Sequence, residues 1–377
     1  MSIRCKATIL RQIGAPAPYA RSKPLSIEEV TIDPPGPTEV LVKIAGGGLC
    51  HSDLSVINGT RPKALPIALG HEGAGEVVET GIAVGDVKVG DPVVFQFSAS
   101  CGRCRRCLEG RPQICAVSKT SGAKGEMMSG GKRIRDADGN PVSHHSGVSC
   151  FAEYAVLDRG SVVVVDRDVP LASAAVFGCA VMTGVGAVMN TARIRAGDKV
   201  AVLGLGGVGL SGVMGARLAG AETIIAIDLD ERKFPRALEL GATHAMRADD
   251  PDIIANIMDL TRGGVDFAID LAGAVPALEL GYAICCRGGA VVTAGLAPAG
   301  AKFAIEQADL VSQEKSVLGS YMGSCVPVRD IPRFIELHRQ GRLPVDRLID
   351  RTVTFDQMNE GFDALASGEM IRQILVP

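Results

Sequence analysis

The sequence predicts an α/β chain in two parts: a strand-rich, barrel-like N-terminal domain and a doubly wound parallel sheet. Three observations predict it. The length of 377 residues exceeds what one ordinary core encloses. Short β-branched runs between Gly/Pro turns fill the N-terminal half. From residue 180 onward, strands and helices alternate.

In the first part, strands are predicted at 39–45, 75–79, 91–97 and 154–157. Pro34-Pro35-Gly36-Pro37 and Gly46-Gly47-Gly48 punctuate them. Near residue 180 the pattern changes. An apolar run at 199–203 leads into a Gly-rich turn and a helix ending at Ala219. Further strands follow at 223–227, 243–246, 267–270, 290–294 and 316–319. Helices at 231–240, 251–260 and 276–285 fit between them. After 320 the alternation stops, leaving helical pieces at 330–339 and 358–367 and a last strand at 373–376.

Composition excludes several classes. With 47% hydrophobic and 21% charged residues the chain is not intrinsically disordered. A net charge of -3 without a basic stripe gives no basis for a nucleic-acid or anionic-membrane partner. Apolar runs such as 162–165 are too short to span a bilayer. The opening Met-Ser-Ile-Arg-Cys-Lys-Ala lacks the apolar core of a secretory signal, so a cytoplasmic location is expected. Eleven cysteines in a reducing compartment point to metal or redox chemistry rather than disulfides.

Gly204-Leu205-Gly206-Gly207-Val208-Gly209 fits G-x-G-x-x-G between a predicted strand and a predicted helix. Gly204 permits the tight turn, Gly206 lets backbone approach a pyrophosphate, and Gly209 allows close helix–strand packing. Asp228 ends the next strand, where a carboxylate binds ribose hydroxyls and repels a 2′-phosphate, favouring NAD over NADP. Lys233 is a candidate second contact to the ribose, with a solvated helix lysine as the equal alternative.

Cys101, Cys104, Cys107 and Cys115 lie on one loop in Cys-x2-Cys-x2-Cys-x7-Cys spacing. Four soft ligands close a tetrahedral zinc site of the structural type. Ferredoxin-like iron–sulfur motifs begin similarly but continue with a short gap and Cys-Pro, whereas Ala116 follows Cys115 here. A catalytic zinc needs three protein ligands and an open position; candidates are Cys50, His71 and Cys179. Taken singly, each also reads as a buried thiol or a satisfied loop histidine. Cys50-His51-Ser52-Asp53 is expected in a Gly-rich loop.

Together, Gly47-Gly48-Leu49-Cys50-His51-Ser52-Asp53, Leu69-Gly70-His71-Glu72-Gly73-Ala74-Gly75, the four-cysteine lobe, and Gly204–Gly209 with Asp228 resemble the zinc-dependent alcohol dehydrogenases of the medium-chain dehydrogenase/reductase family. The resemblance covers essentially the whole chain. It implies a GroES-like β-barrel catalytic domain over 1–180 carrying the zinc lobe at 97–120. A Rossmann NAD-binding domain over 181–320 and a C-terminal return, 321–377, to the catalytic domain complete the chain.

Site roles follow from the same resemblance. Cys50, His71 and Cys179 match the catalytic zinc ligands, Glu72 a carboxylate beside the metal, and Asp53 the acceptor that orients His71. Ser52 matches the hydroxyl that takes the alcohol proton, and His51 a pyrophosphate contact and outer relay. Arg372 matches a pyrophosphate arginine and Thr183 a residue behind the nicotinamide. Phe97, Phe151, Leu296 and Tyr321 are pocket candidates, each with core packing as an equal reading. Where many members have a relay histidine, this chain has Ser55.

The expected function is reversible oxidation of a primary or secondary alcohol, aromatic ones included, with hydride transfer to NAD. The expected cofactors are NAD and two Zn2+ per chain, and the expected assembly is a homodimer. The alternatives are a glutathione-dependent formaldehyde dehydrogenase and a non-catalytic NAD- and zinc-binding sensor.

Overall fold

The computed structural model describes all residues 1–377. They form two compact units. The first comprises Met1–Cys179, Val326–Ile335 and Ile349–Pro377; the second comprises Ala180–Cys325 and Glu336–Leu348. The C-terminal segment is thus shared between the units. Within the second, Arg347 Nη1 lies 2.7 Å from Glu239 Oε1, and Leu343, Val345 and Leu348 are buried.

The first unit holds a closed five-stranded barrel and a seven-stranded sheet. The barrel runs Ile3–Leu10, Leu25–Ile32, Ile134–Arg135, Pro141–His144 and Ile67–Ala68. Its first two strands pair antiparallel from Ile3↔Ile32 to Leu10↔Leu25. Sequence reading misses both, although Arg4 and Lys6, then Glu29, sit on alternating outward positions as a half-buried ladder requires.

In the seven-stranded sheet the central strand, Glu39–Gly48, pairs with Gly73–Thr80 on one side and with both Tyr154–Asp158 and Gln373–Leu375 on the other. That arrangement carries the chain end of the sequence to the Gly47–Gly48 corner. There Leu49 N–H donates to Gln373 O at 2.9 Å, and Gly48 N–H to Glu72 O at 2.7 Å.

The second unit is a six-stranded parallel sheet. Its spatial order is His244–Arg247, Thr223–Asp228, Lys199–Leu203, Val265–Asp270, Cys285–Thr293 and Ser316–Gly319. Val200–Leu203 and Ile224–Ile227 are buried throughout, as strands covered on both faces must be. The helix expected over 231–240 begins later. Glu231–Lys233 is a 3-10 turn, and the α-helix runs Phe234–Leu240 with Pro235 in its first turn, where a missing N–H is tolerated. No single helix is long and apolar enough to cross a membrane.

Candidate functional site

The segment expected to be a loop at Cys50–Asp53 instead opens a short helix. His51–Ile57 is α-helical, with Cys50 in extended conformation at its N-cap. The helix buries Asp53, Leu54, Val56 and Ile57. The same turn therefore exposes His51, half-buries Ser52 and aims Asp53 inward. His71 follows Gly70, whose φ of +91° lies in the left-handed region and whose added Cβ would sit 2.6 Å from Phe151 N. Only glycine fits that corner.

These segments bring Cys50, His71, Glu72 and Cys179 together, with ligand atoms all within 4.8 Å of one another and all four side chains buried. His71 Nε2 and both Glu72 carboxylate oxygens have no hydrogen-bond partner. Orphaned polar atoms at such depth are costly unless something else binds them. Two sulfurs, an imidazole nitrogen and a nearby carboxylate are the donor chemistry zinc takes. The residues present therefore fit a zinc ion.

The surroundings set the charge of the donors. Asp53 Oδ2 lies 3.0 Å from His71 Nδ1, which turns Nε2 toward the two thiols. Burial disfavours a charged His71, but Asp53 and Cys50 outweigh it and raise it well above its usual range. The hydrogen bond from Cys179 holds Cys50 well below the ordinary thiol range, with Arg372 and His71 adding to the effect. Burial pushes the Glu72 carboxyl up to about 7 against the pull of Arg372.

Arg372 is 3% exposed. Its Nη1 donates to Leu49 O at 2.9 Å and its Nη2 lies 3.6 Å from Glu72 Oε2. The resemblance offers this arginine to a pyrophosphate; the structure sets its Nη1 and Nη2 beside the donor cluster, as counter-charge to the thiols and Glu72.

Phe97 packs edge-on to His71, ring centroids 4.9 Å apart, and so borders the cluster. Phe151 corrects the pocket expectation. It is fully buried and packs on Phe362 at 6.2 Å, a core residue whose ring fills the space under Gly47 and Gly70. Ser55 donates its hydroxyl to His51 O at 2.7 Å, a helix back-bond.

One residue escapes the sequence reading altogether. His145 is buried, and its Nδ1 lies 2.9 Å from Asp53 Oδ1. The available signal was scarcity: with only six histidines in the chain, the doublet His144-His145 is conspicuous.

The cysteine lobe forms a second cluster, again with ligand atoms within 4.8 Å of one another. Cys104 Sγ is 3.6 Å from Cys107 Sγ and 3.9 Å from Cys115 Sγ. Zinc–sulfur bonds of about 2.3 Å give a tetrahedral S–S edge of ~3.8 Å, so the two edges that Cys104 makes with Cys107 and Cys115 already stand at zinc spacing. Backbone N–H groups of Cys107 and Ala116 hold Cys104 down at about 6, the nest a thiolate ligand needs.

In the second unit, the strand Lys199–Leu203 runs through Gly204 into the helix Gly207–Ala219. Gly204 has φ +88° and an added Cβ at Gly209 would lie 1.6 Å from Gly204 O, whereas Gly206 faces open space. The helix N-terminus is thereby left bare for an anion. Asp228 accepts from Leu205 N–H at 2.6 Å and from Asp230 N–H at 2.9 Å. Lys233 Nζ sits 3.1 Å from Asp228 Oδ1, so it is a paired lysine rather than a solvated one. Thr183 is 8% exposed, its Oγ1 3.8 Å from Met322 Sδ. Leu296 and Tyr321 also belong to this unit and are 55% and 39% exposed.

Comparison with known proteins agrees with this chemistry. Residues 36–167 match the family "Alcohol dehydrogenase GroES-like domain", and residues 207–340 match "Zinc-binding dehydrogenase". The S-(hydroxymethyl)glutathione dehydrogenase of Paracoccus denitrificans is 36% identical over 94% of this chain and 96% of its own. An alcohol dehydrogenase zinc-binding domain protein from Burkholderia ambifaria has 35% identity and a TM-score of 0.94 over 100% of both chains. Benzyl alcohol dehydrogenase from Acinetobacter calcoaceticus has 31% identity and a TM-score of 0.90 over 99% of both. With two soft-donor clusters, a dinucleotide turn and relatives matched end to end, the chain belongs to the zinc-dependent alcohol dehydrogenases of the medium-chain dehydrogenase/reductase family.

Proposed function

We propose that this protein oxidises primary or secondary alcohols, aromatic ones included, to aldehydes or ketones, reversibly and with NAD as hydride acceptor. The convergence of Cys50, His71 and Cys179 with the unpartnered His71 Nε2 carries the reading. A zinc ion held there supplies Lewis acidity toward the alcohol oxygen, and NAD supplies the hydride acceptor. The chain's own residues do the rest. Ser52, half-buried two residues after Cys50, takes the alcohol proton, and the exposed His51 passes it outward. Asp53 fixes the His71 ring, Arg372 offsets the thiolate charge, and the Phe97 ring excludes water from one side. The carboxylate of Asp228 at the strand end supports NAD over NADP, because it would repel a 2′-phosphate.

The test is a panel of alcohols, benzyl alcohol and S-hydroxymethylglutathione among them, with NAD and NADP, read by absorbance of the reduced cofactor. Benzyl or aliphatic alcohols with NAD are expected to turn over fastest. Turnover confined to the glutathione adduct would move the protein to the formaldehyde-dehydrogenase reading, which the Paracoccus relative's name favours. No alcohol-dependent reduction by fully metallated protein would favour the sensor reading.

A homodimer is part of the proposal. The strand Ser316–Gly319 is exposed along its whole length and pairs only with Cys285–Thr293. An open edge bearing Val317 and Leu318, 38% and 37% exposed, is a template for a second copy. Leu318→Lys is expected to shift the protein from dimer to monomer in light scattering, without changing zinc content. The need for reduced thiolates in both clusters supports a cytosolic setting.

A further inference from the structure

We infer that His145 is a positioning residue for the catalytic metal, acting through Asp53 on His71. The inference rests on the metal-centre reading and adds an outer link that neither the motifs nor the comparisons assign. Asp53 is wholly buried and stands between two imidazoles. Its Oδ2 is 3.0 Å from His71 Nδ1, and its Oδ1 is 2.9 Å from His145 Nδ1. Gly70 N–H also donates to Oδ1, at 3.0 Å. The carboxylate is acceptor-only when ionised, so His145 presents Nδ1–H to it. Two donors therefore pin Oδ1, and the carboxylate plane cannot rotate without breaking both.

That restraint has a chemical consequence. Oδ2 stands 3.0 Å from His71 Nδ1, so pinning the carboxylate plane through Oδ1 fixes the charge that faces this ring nitrogen of the metal ligand. The rings of His71 and His145 also meet edge to face, centroids 5.2 Å apart, so His145 walls the side of the ligand as well. His145 itself is anchored: its N–H donates to Ser149 Oγ at 2.9 Å, and that hydroxyl donates to Ala68 O at 2.7 Å. Ala68 lies on the barrel strand that leads through Leu69 and Gly70 to His71. The chain of contacts is thus closed: barrel strand, Ser149, His145, Asp53, His71. A three-member cluster of this kind could be read as a separate metal site. Both Nδ1 atoms already lie within 3.0 Å of one carboxylate, so an orienting network accounts for the same placement without a further ion.

The test compares His145→Leu, which keeps bulk but loses the donor, with His145→Asn, whose side-chain N–H can stand where Nδ1–H stood. The readout is zinc affinity by competition with a colorimetric chelator, the four-cysteine lobe serving as internal reference, and the visible spectrum of the cobalt-substituted protein. In His145→Leu the catalytic ion is expected to bind about tenfold more weakly, with a shifted cobalt spectrum and an unchanged lobe. His145→Asn is expected to recover most of the affinity. Wild-type affinity in His145→Leu would overturn the inference, and so would equal loss in both variants, since the donor would then be irrelevant. A His145→Leu protein that does not fold leaves His145→Asn to decide: near-wild-type affinity supports the inference, weakened affinity overturns it. A wild-type protein that takes up zinc in the four-cysteine lobe alone would overturn the metal-centre reading and this inference with it.

Discussion

Cys50→Ala is expected to abolish alcohol oxidation while leaving NADH binding intact. The substitution removes one of two buried sulfurs from a cluster whose remaining donors are His71, Cys179 and Glu72. Glu72 is already within reach, its carboxyl near neutrality at about 7. Any metal retained by drawing that carboxylate in would have one sulfur donor in place of two, a harder and differently shaped donor set that no longer presents the alcohol position as the wild-type site does. Loss of Lewis-acid stabilisation worth several kcal/mol corresponds to a fall in kcat/KM of at least about 10³. NADH binding is a separate matter. The turn Gly204–Gly209 and Asp228 belong to the second compact unit, which contributes no donor to the cluster. Fluorescence titration with NADH should give a dissociation constant within about threefold of wild type, while bound zinc drops by one per chain. Activity above a tenth of wild type would sink the assignment of Cys50.

Cys104→Ser is expected to act on integrity before chemistry. The segment around the four cysteines has almost no core of its own. The helix Arg105–Leu108 buries no residue, nor does Ala116–Ala123. Leu108 is 75% exposed. A stretch without apolar burial cannot offset its own ordering entropy, so a bound ion must hold it. Backbone N–H groups hold the Cys104 thiol down at about 6, and two of the other thiols sit against it. Replacing it should release the lobe zinc and let the segment open. Arg103, Arg105 and Arg106 would then become trypsin sites. Cleavage at these sites should accelerate at least about tenfold, a cost of roughly 1.4 kcal/mol or more in local opening. Two zinc ions per wild-type chain, falling to one in this variant, is the matching metal count. Unchanged trypsin resistance with two ions retained would refute the structural role.

The same absence of burial explains what the sequence left hidden. Ala116–Ala123 carries no apolar stripe, so no periodicity marks it as a helix. Cys50–Asp53 looked like a loop because three glycines precede it, yet the following Leu54, Val56 and Ile57 face the core and draw the chain into a helical turn. The parallel sheet was legible because its strands are continuous apolar runs with helices between. Lys199–Leu203 and Ser316–Gly319 fall where the pattern puts them.

The sequence by itself determined the chemistry on offer. Four thiols on one short loop can converge through local turns alone, and the glycine spacing with Asp228 specifies a dinucleotide turn without distant contacts. Only the tertiary structure decided which distant side chains share a site. Cys50, His71, Cys179 and Arg372 are separated by as much as most of the chain, and their meeting depends on the pairing of Glu39–Gly48 with both Gly73–Thr80 and Gln373–Leu375. Packing also sorted residues that a motif cannot rank. Phe97 faces His71 while Phe151 fills the core. Arg372 turns inward to the donors. His145, which no spacing rule connects to residue 53, completes the support of the metal ligand because the barrel brings both under one buried carboxylate.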